Sequence, residues 1–147
     1  MGKYFEEFQV GEVYKSPART ITESDVMQFA GLSGDFNPLH TDEEFAKETV
    51  FRKRIAHGLL GLSITSGLMG RLGIFDGTVI AFLGLEWKFT GPIFFGDTIH
   101  FKMTIQDKRE TSKPDRGIIY RDVEVINQRS EVVQKGIMTI MVKRLNH

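Results

Sequence analysis

At 147 residues the chain has the length of one domain, here taken as residues 1–147, with a core of its own. Nineteen basic and nineteen acidic residues cancel, which argues against a nucleic-acid binder and against a polybasic membrane anchor. With no cysteine, disulfide and thiolate chemistry are excluded, and a reducing, cytoplasmic setting is the simpler expectation.

The segment Met1 to Val10 mixes charge with aromatics and has no apolar run, so it does not read as a signal peptide. The four histidines, His40, His57, His100 and His147, are too few and too scattered to predict a metal site. A short strand is expected between Glu12 and Arg19, interrupted by Pro17. A helix follows. Thr22 is its N-cap, Asp25 completes a capping pair, and Ile21 with Val26 fits a hydrophobic staple. Val26, Phe29 and Ala30 recur at helical spacing, so one face is buried, and Gly31 to Gly34 ends the helix.

Ser33-Gly34-Asp35-Phe36-Asn37-Pro38-Leu39-His40 comes next. Gly34 and Pro38 make it a loop, and Pro38 biases Asn37 away from the α region. A bent loop can turn Asp35 and His40 onto one small volume, where a carboxyl group and an imidazole can activate a water at neutral pH. The bland readings stand beside this one. Asp35 alone suits a turn residue. Thr41-Asp42-Glu43-Glu44 reads as a capping box, which would leave His40 as half of a staple on Phe45. Asn37 braces the loop, because an amide is not a proton shuttle. Arg52-Lys53-Arg54 reads as a solvated loop or as a contact to phosphates.

Ala56 to Gly73 is apolar on nearly all sides, which fits a central core helix. Its glycines, with Ser63, Thr65 and Ser66, make it a poor membrane span. Those glycines suggest close approach of other backbone. The second half is strand-rich. Val79, Ala81, Leu83, Leu85, Trp87 and Phe89 alternate along one face, and Ile99 to Ile105 alternate with polar residues. Further strands are expected around Ile119 to Val125 and from Val132 to Val142, with the run Ile137 to Val142 buried on both faces. Long, successive antiparallel strands after one buried helix predict an α+β domain.

The run from Phe29 to His40, with Ala46 six residues on, resembles the signature of the MaoC-like, R-specific enoyl-CoA hydratases. Arg54-Ile55-Ala56-His57-Gly58, Thr65-Ser66-Gly67, Gly91-Pro92 and Gly96-Asp97 resemble later parts of the same family. The resemblance implies a hotdog fold, a long helix wrapped by an antiparallel sheet, and homodimers binding coenzyme A thioesters near the subunit interface. It implies no cofactor and no metal. It puts the catalytic pair on Asp35 and His40, the oxyanion donor on the Gly58 backbone N–H, and a supporting serine on Ser66. Gly58 opens the apolar helix, where unbonded N–H groups and the helix dipole suit a developing enolate oxygen. His57 packs or caps beside it. Arg52, Lys53 and Arg54 are the expected contacts to the nucleotide phosphates. A hotdog thioesterase and a non-catalytic acyl-CoA binding module are the rival readings.

Overall fold

A computed structural model describes residues 1–145; His147 lies outside the described residues. A 3-10 turn at Phe5–Glu7 leads into two short strands, β1 (Val13–Lys15) and β2 (Arg19–Thr20). Then come helices α1 (Glu23–Ser33), α2 (Pro38–Thr41), α3 (Glu43–Lys47) and α4 (Gly58–Arg71). Strands β3 (Val79–Phe89), β4 (Thr98–Glu110), β5 (Arg116–Ile126) and β6 (Val132–Lys143) complete the chain. All strand pairs are antiparallel, in the order β1-β4-β5-β6-β3, with β2 also on β4. The strands are therefore not simply successive: β4, β5 and β6 form a meander, and β3 pairs with β6 across it.

Local chemistry explains α1. Thr22 Oγ1 accepts from the Asp25 N–H at 3.1 Å, and Asp25 Oδ2 accepts from the Thr22 N–H at 2.9 Å. Each bond satisfies a donor that a helix start leaves open. Gly34 ends the helix with φ +80°, a conformation glycine adopts without the cost a Cβ would bring.

The α4 helix packs on the inner face of the sheet. Leu60, Ile64, Leu68 and Met69 join Phe101, Met103, Ile105, Ile119, Val123 and Val125 in one buried cluster. Each such aliphatic side chain contributes about 1.5–3 kcal/mol on full burial. The helix is not buried all round, however. Leu59, Ser63, Ser66, Gly67 and Gly70 are exposed along one side. Close approach explains only part of its glycine content, and side chains make it. A Cβ on Gly58 would meet the Phe89 ring at 2.8 Å, and one on Gly61 would meet Gln134 Nε2 at 2.5 Å. Gly67 and Gly70 have open space beside them.

Strand β3 also departs from simple alternation. Register shifts at Val79/Ala81 and Phe82/Gly84 break the period, and Ile80, Phe82, Leu83, Leu85 and Phe89 are all exposed. The expected burial of β6 on both faces is partial. Met138, Ile140 and Val142 are buried, whereas Ile137, Thr139 and Met141 are half-buried. No helix among the described residues is long and apolar enough to cross a membrane.

Candidate active site

The segment after α1 is shaped by a chain of side-chain-to-backbone hydrogen bonds. Ser33 Oγ donates to the Phe29 carbonyl at 2.7 Å and accepts from the Asp35 N–H at 3.1 Å. Asp35 Oδ1 accepts from the Asn37 N–H, and Asn37 Oδ1 accepts from the Leu39 N–H. Asn37 has ψ 133°, the extended value its following proline favours. It thereby caps a short helix, α2, with Pro38 in its first turn. The expected loop is thus half helical, and His40 sits inside that helical turn.

The expected capping box at Thr41–Glu44 does not form. Asp42 caps α3 instead, accepting from the Phe45 N–H at 3.0 Å, while Thr41 Oγ1 donates back to the Phe36 and Asn37 carbonyls. Nor does His40 staple to Phe45, which is half exposed. His40 turns inward, 9% exposed, and its ring stacks on His57 with centroids 3.8 Å apart. The expectation of scattered histidines fails here. Two of them, 17 positions apart, share one site.

The two rings are held by backbone carbonyls. His40 Nδ1 lies 2.7 Å from the Ile55 carbonyl and His57 Nε2 lies 2.9 Å from the Asp35 carbonyl. A carbonyl only accepts, so both nitrogens carry hydrogen. In its neutral form His40 then keeps the lone pair on Nε2, where it makes no bond among the described residues. Burial pushes the His40 pKa below its ordinary value, with a smaller push from His57; the Ile55 bond and Asp35 oppose them. A neutral, accepting imidazole is the result. His57 caps nothing with its side chain, and its Nδ1 is buried without a partner.

Side-chain ligand atoms of Asp35, His40 and His57 all lie within 4.8 Å of one another. Such a trio has the composition of a cation site. One nitrogen of each ring serves a carbonyl, which leaves His40 Nε2 and His57 Nδ1 as the ring nitrogens without a partner among the described residues. The same groups can also hold one small polar molecule by hydrogen bonds.

His57 is also the N-cap of α4. The first intrahelical bonds run from Leu60 and Gly61 to the His57 carbonyl, so the Gly58 N–H is left unbonded among the described residues. Gly58 and His40 both line a cavity of about 590 Å³ with Leu39, Phe51, Phe89 and Gln134. Asp35 is exposed and meets the cavity through His40 rather than lining it. Gln134 is a residue the sequence did not single out. It is 1% exposed and donates from Nε2 to the Gly58 carbonyl at 3.0 Å, while its Oε1 accepts from Trp87 Nε1. This relay fixes the mouth of α4.

Asp35, Asn37, His40 and Gly58 are therefore brought together. Ser66 is not. It lies on the next turns of α4 and lines a different cavity, and its hydroxyl makes no hydrogen bond among the described residues, not even to the carbonyl one turn back. The basic cluster divides. Arg54 is drawn inward and pairs with Glu23 and Glu43, both at 3.0 Å, with its guanidinium over Phe95. Arg52 and Lys53 stay exposed, next to the cavity residues Phe51 and Ile55.

A family model described as "MaoC like domain" matches residues 7–126. The chain belongs to the MaoC-like family. An (R)-specific enoyl-CoA hydratase of Rhodospirillum rubrum is 42% identical to the MaoC-like chain over 103 residues, 69% of each protein. The solved MaoC-like dehydratase of the same organism superimposes with TM-score 0.88 at 28% identity, covering 99% of this chain and 100% of that one. A Mycobacterium tuberculosis protein with a double hotdog fold matches with TM-score 0.83 at 20% identity, over 99% of this chain and 45% of that one. The MaoC-like chain thus has the hotdog fold. It spans 33% of one curated relative's length and 63–69% of three others'.

Proposed function

We propose that this protein reversibly hydrates trans-2-enoyl-CoA to (R)-3-hydroxyacyl-CoA. The observation that carries the reading is that His40, with its free Nε2, and Gly58, with its unbonded N–H, line one cavity while the Asp35 carboxylate stands beside His40. Conjugation with the thioester makes C3 electrophilic and passes charge to the carbonyl oxygen as water attacks. The Gly58 N–H, at the positive end of α4, receives that oxygen. Asp35 and His40 hold one water between them. Its O–H bond breaks toward His40 Nε2, and its oxygen bonds to C3. The electron pair of the alkene rests on the enolate oxygen and returns to C2 as the Asp35–His40 pair delivers a proton there. One water adds across one face, with no cofactor and no metal in the scheme. Asn37 acts through the loop it caps, and Arg52 with Lys53 meets the nucleotide phosphates.

The relatives named as enoyl-CoA hydratases and dehydratases support this class of reaction. A homodimer fits the exposed apolar residues on both faces of β3, which leave its outer edge open to a second copy. A cysteine-free chain acting on coenzyme A thioesters suits the cytoplasm. The test is crotonyl-CoA hydration followed at the enoyl absorbance, with chiral analysis of the product. Release of free thiol from a saturated acyl-CoA would support a thioesterase instead, and tight binding without turnover a non-catalytic module.

A further inference from the structure

Arg121 is out of pattern. It lies on the inner face of the central strand β5, two residues from Ile119 and Val123, both fully buried. That face is otherwise aliphatic, yet Arg121 is only 2% exposed. Its Nε donates to the Met138 carbonyl at 3.3 Å, and its guanidinium lies 5.1 Å from the Phe75 ring and 5.7 Å from Phe82. No carboxylate pairs with it among the described residues. A buried charge without a counter-ion is costly, and an aliphatic side chain would fill the position without that cost. Burial pulls its pKa down to about 10, so it stays charged at neutral pH.

This guanidinium borders a cavity of about 250 Å³ that is separate from the one at His40. Ser66, Met69, Phe75 and Phe82 line it, and the exposed Asp76 stands at its rim without reaching Arg121. Both cavities are lined by residues of α4 and of β3. The first has Gly58 of α4 opposite Phe89 of β3, and the second has Ser66 of α4 opposite Phe82 of β3. Gly58, Leu62 and Ser66 follow at four-residue steps, which puts them on one side of the helix. Eight residues of helix span about 12 Å. That is the reach of an extended acyl chain on the order of eight to ten carbons.

We propose that the second cavity receives the far end of the acyl chain, and that Arg121 selects chains ending in a carboxylate. The inference rests on the hydratase reading and names the substrate class of that site: monothioesters of dicarboxylic enoic acids. The Phe75 and Phe82 rings flank the guanidinium, and an arriving carboxylate supplies the missing counter-charge with bidentate geometry. Asp76, at the rim, repels the same carboxylate and so narrows its approach to the Arg121 side.

The test compares trans-2-decenoyl-CoA with its ω-carboxy counterpart in the full-length protein. A preference of on the order of ten- to hundred-fold in kcat/KM is expected for the carboxylated chain, and Arg121→Met should abolish it. Equal kcat/KM for the two chains in the unmodified protein, or an unchanged preference in R121M, overturns the proposal. Saturated decanoyl-CoA and its ω-carboxy analogue, measured by calorimetry on the unmodified protein, supply a readout that needs neither turnover nor a folded variant. Tighter binding of the carboxylated analogue supports the role of Arg121, and equal affinities refute it. Crotonyl-CoA is the control: if it is not hydrated, the hydratase reading fails, while the binding comparison still decides on Arg121.

Discussion

The His40 and His57 rings stack at 3.8 Å with their planes 28° apart. Each ring is tied through one nitrogen to a backbone carbonyl, His40 to Ile55 and His57 to Asp35. The stack therefore joins the loop that carries the carboxyl group to the N-terminus of α4. A shift of either element would move both Asp35 and His40.

Removing either member should stop the chemistry without unfolding the chain. Asp35→Ala and His40→Ala are each expected to lose on the order of 10²–10⁴ in kcat. Crotonyl-CoA hydration measures this, with circular dichroism as the check on folding. Near-normal turnover in either variant rejects its role.

Protonation should matter in a defined direction. Burial lowers the His40 pKa, so the accepting Nε2 survives to more acidic pH than an ordinary histidine would allow. The acid limb of kcat/KM should have its midpoint below about 6.5. Stability follows the same group. With a depressed folded-state pKa, the unfolded chain binds the proton more readily, so stability falls as pH drops below about 6.5 toward the His40 value. Thermal unfolding between neutral and mildly acidic pH should show that loss, and His40→Gln should reduce it.

His57 acts through its neighbours. His57→Phe keeps an aromatic ring on His40 but deletes the donor to the Asp35 carbonyl. A drop in kcat on the order of ten-fold is expected, smaller than that of His40→Ala. Because His57 helps to depress the His40 pKa, the acid limb should also move to higher pH. A pH profile that does not move would leave His57 as packing alone.

Gly58 meets a steric demand. An added Cβ would lie 2.8 Å from Phe89 Cδ1, in the wall of the cavity that His40 also lines. Gly58→Ala should lower kcat, and adding Phe89→Leu should restore part of it. The double-mutant cycle reads the coupling, and independent effects would mean the two residues do not meet.

The basic cluster should separate into two behaviours. Arg54 braces α1 and α3 through Glu23 and Glu43, so Arg54→Met should lower the Tm with little change in KM. Arg52→Glu with Lys53→Glu should raise KM for the coenzyme A substrate and leave kcat largely intact. Coenzyme A titrations and thermal melts distinguish these outcomes.

Much of the site was legible because its information is local. Thr22 and Asp25 announce α1 within four residues, and Gly34 with Pro38 fixes where the reactive segment bends. What stayed hidden depends on pairs far apart in the chain. His57 reaches His40 only because the Ala56 and Ile55 backbone docks beside Ile93 and Leu39. Gln134 reaches Gly58 from the last strand, and no period in the sequence marks it. The β3 pattern misled because register shifts cancel a strict two-residue alternation. Arg121 escaped notice for a different reason. Hydropathy assigns a charged residue outward, whereas the strand pleat turns this one in.

Trp87 is the chain's single tryptophan, and its indole N–H is bonded to Gln134, whose amide holds the carbonyl of Gly58. The protein thus carries an intrinsic fluorophore wired to the spot where a thioester oxygen would settle. Ligand arrival can be watched by emission from the unlabelled protein, with no background from a second indole.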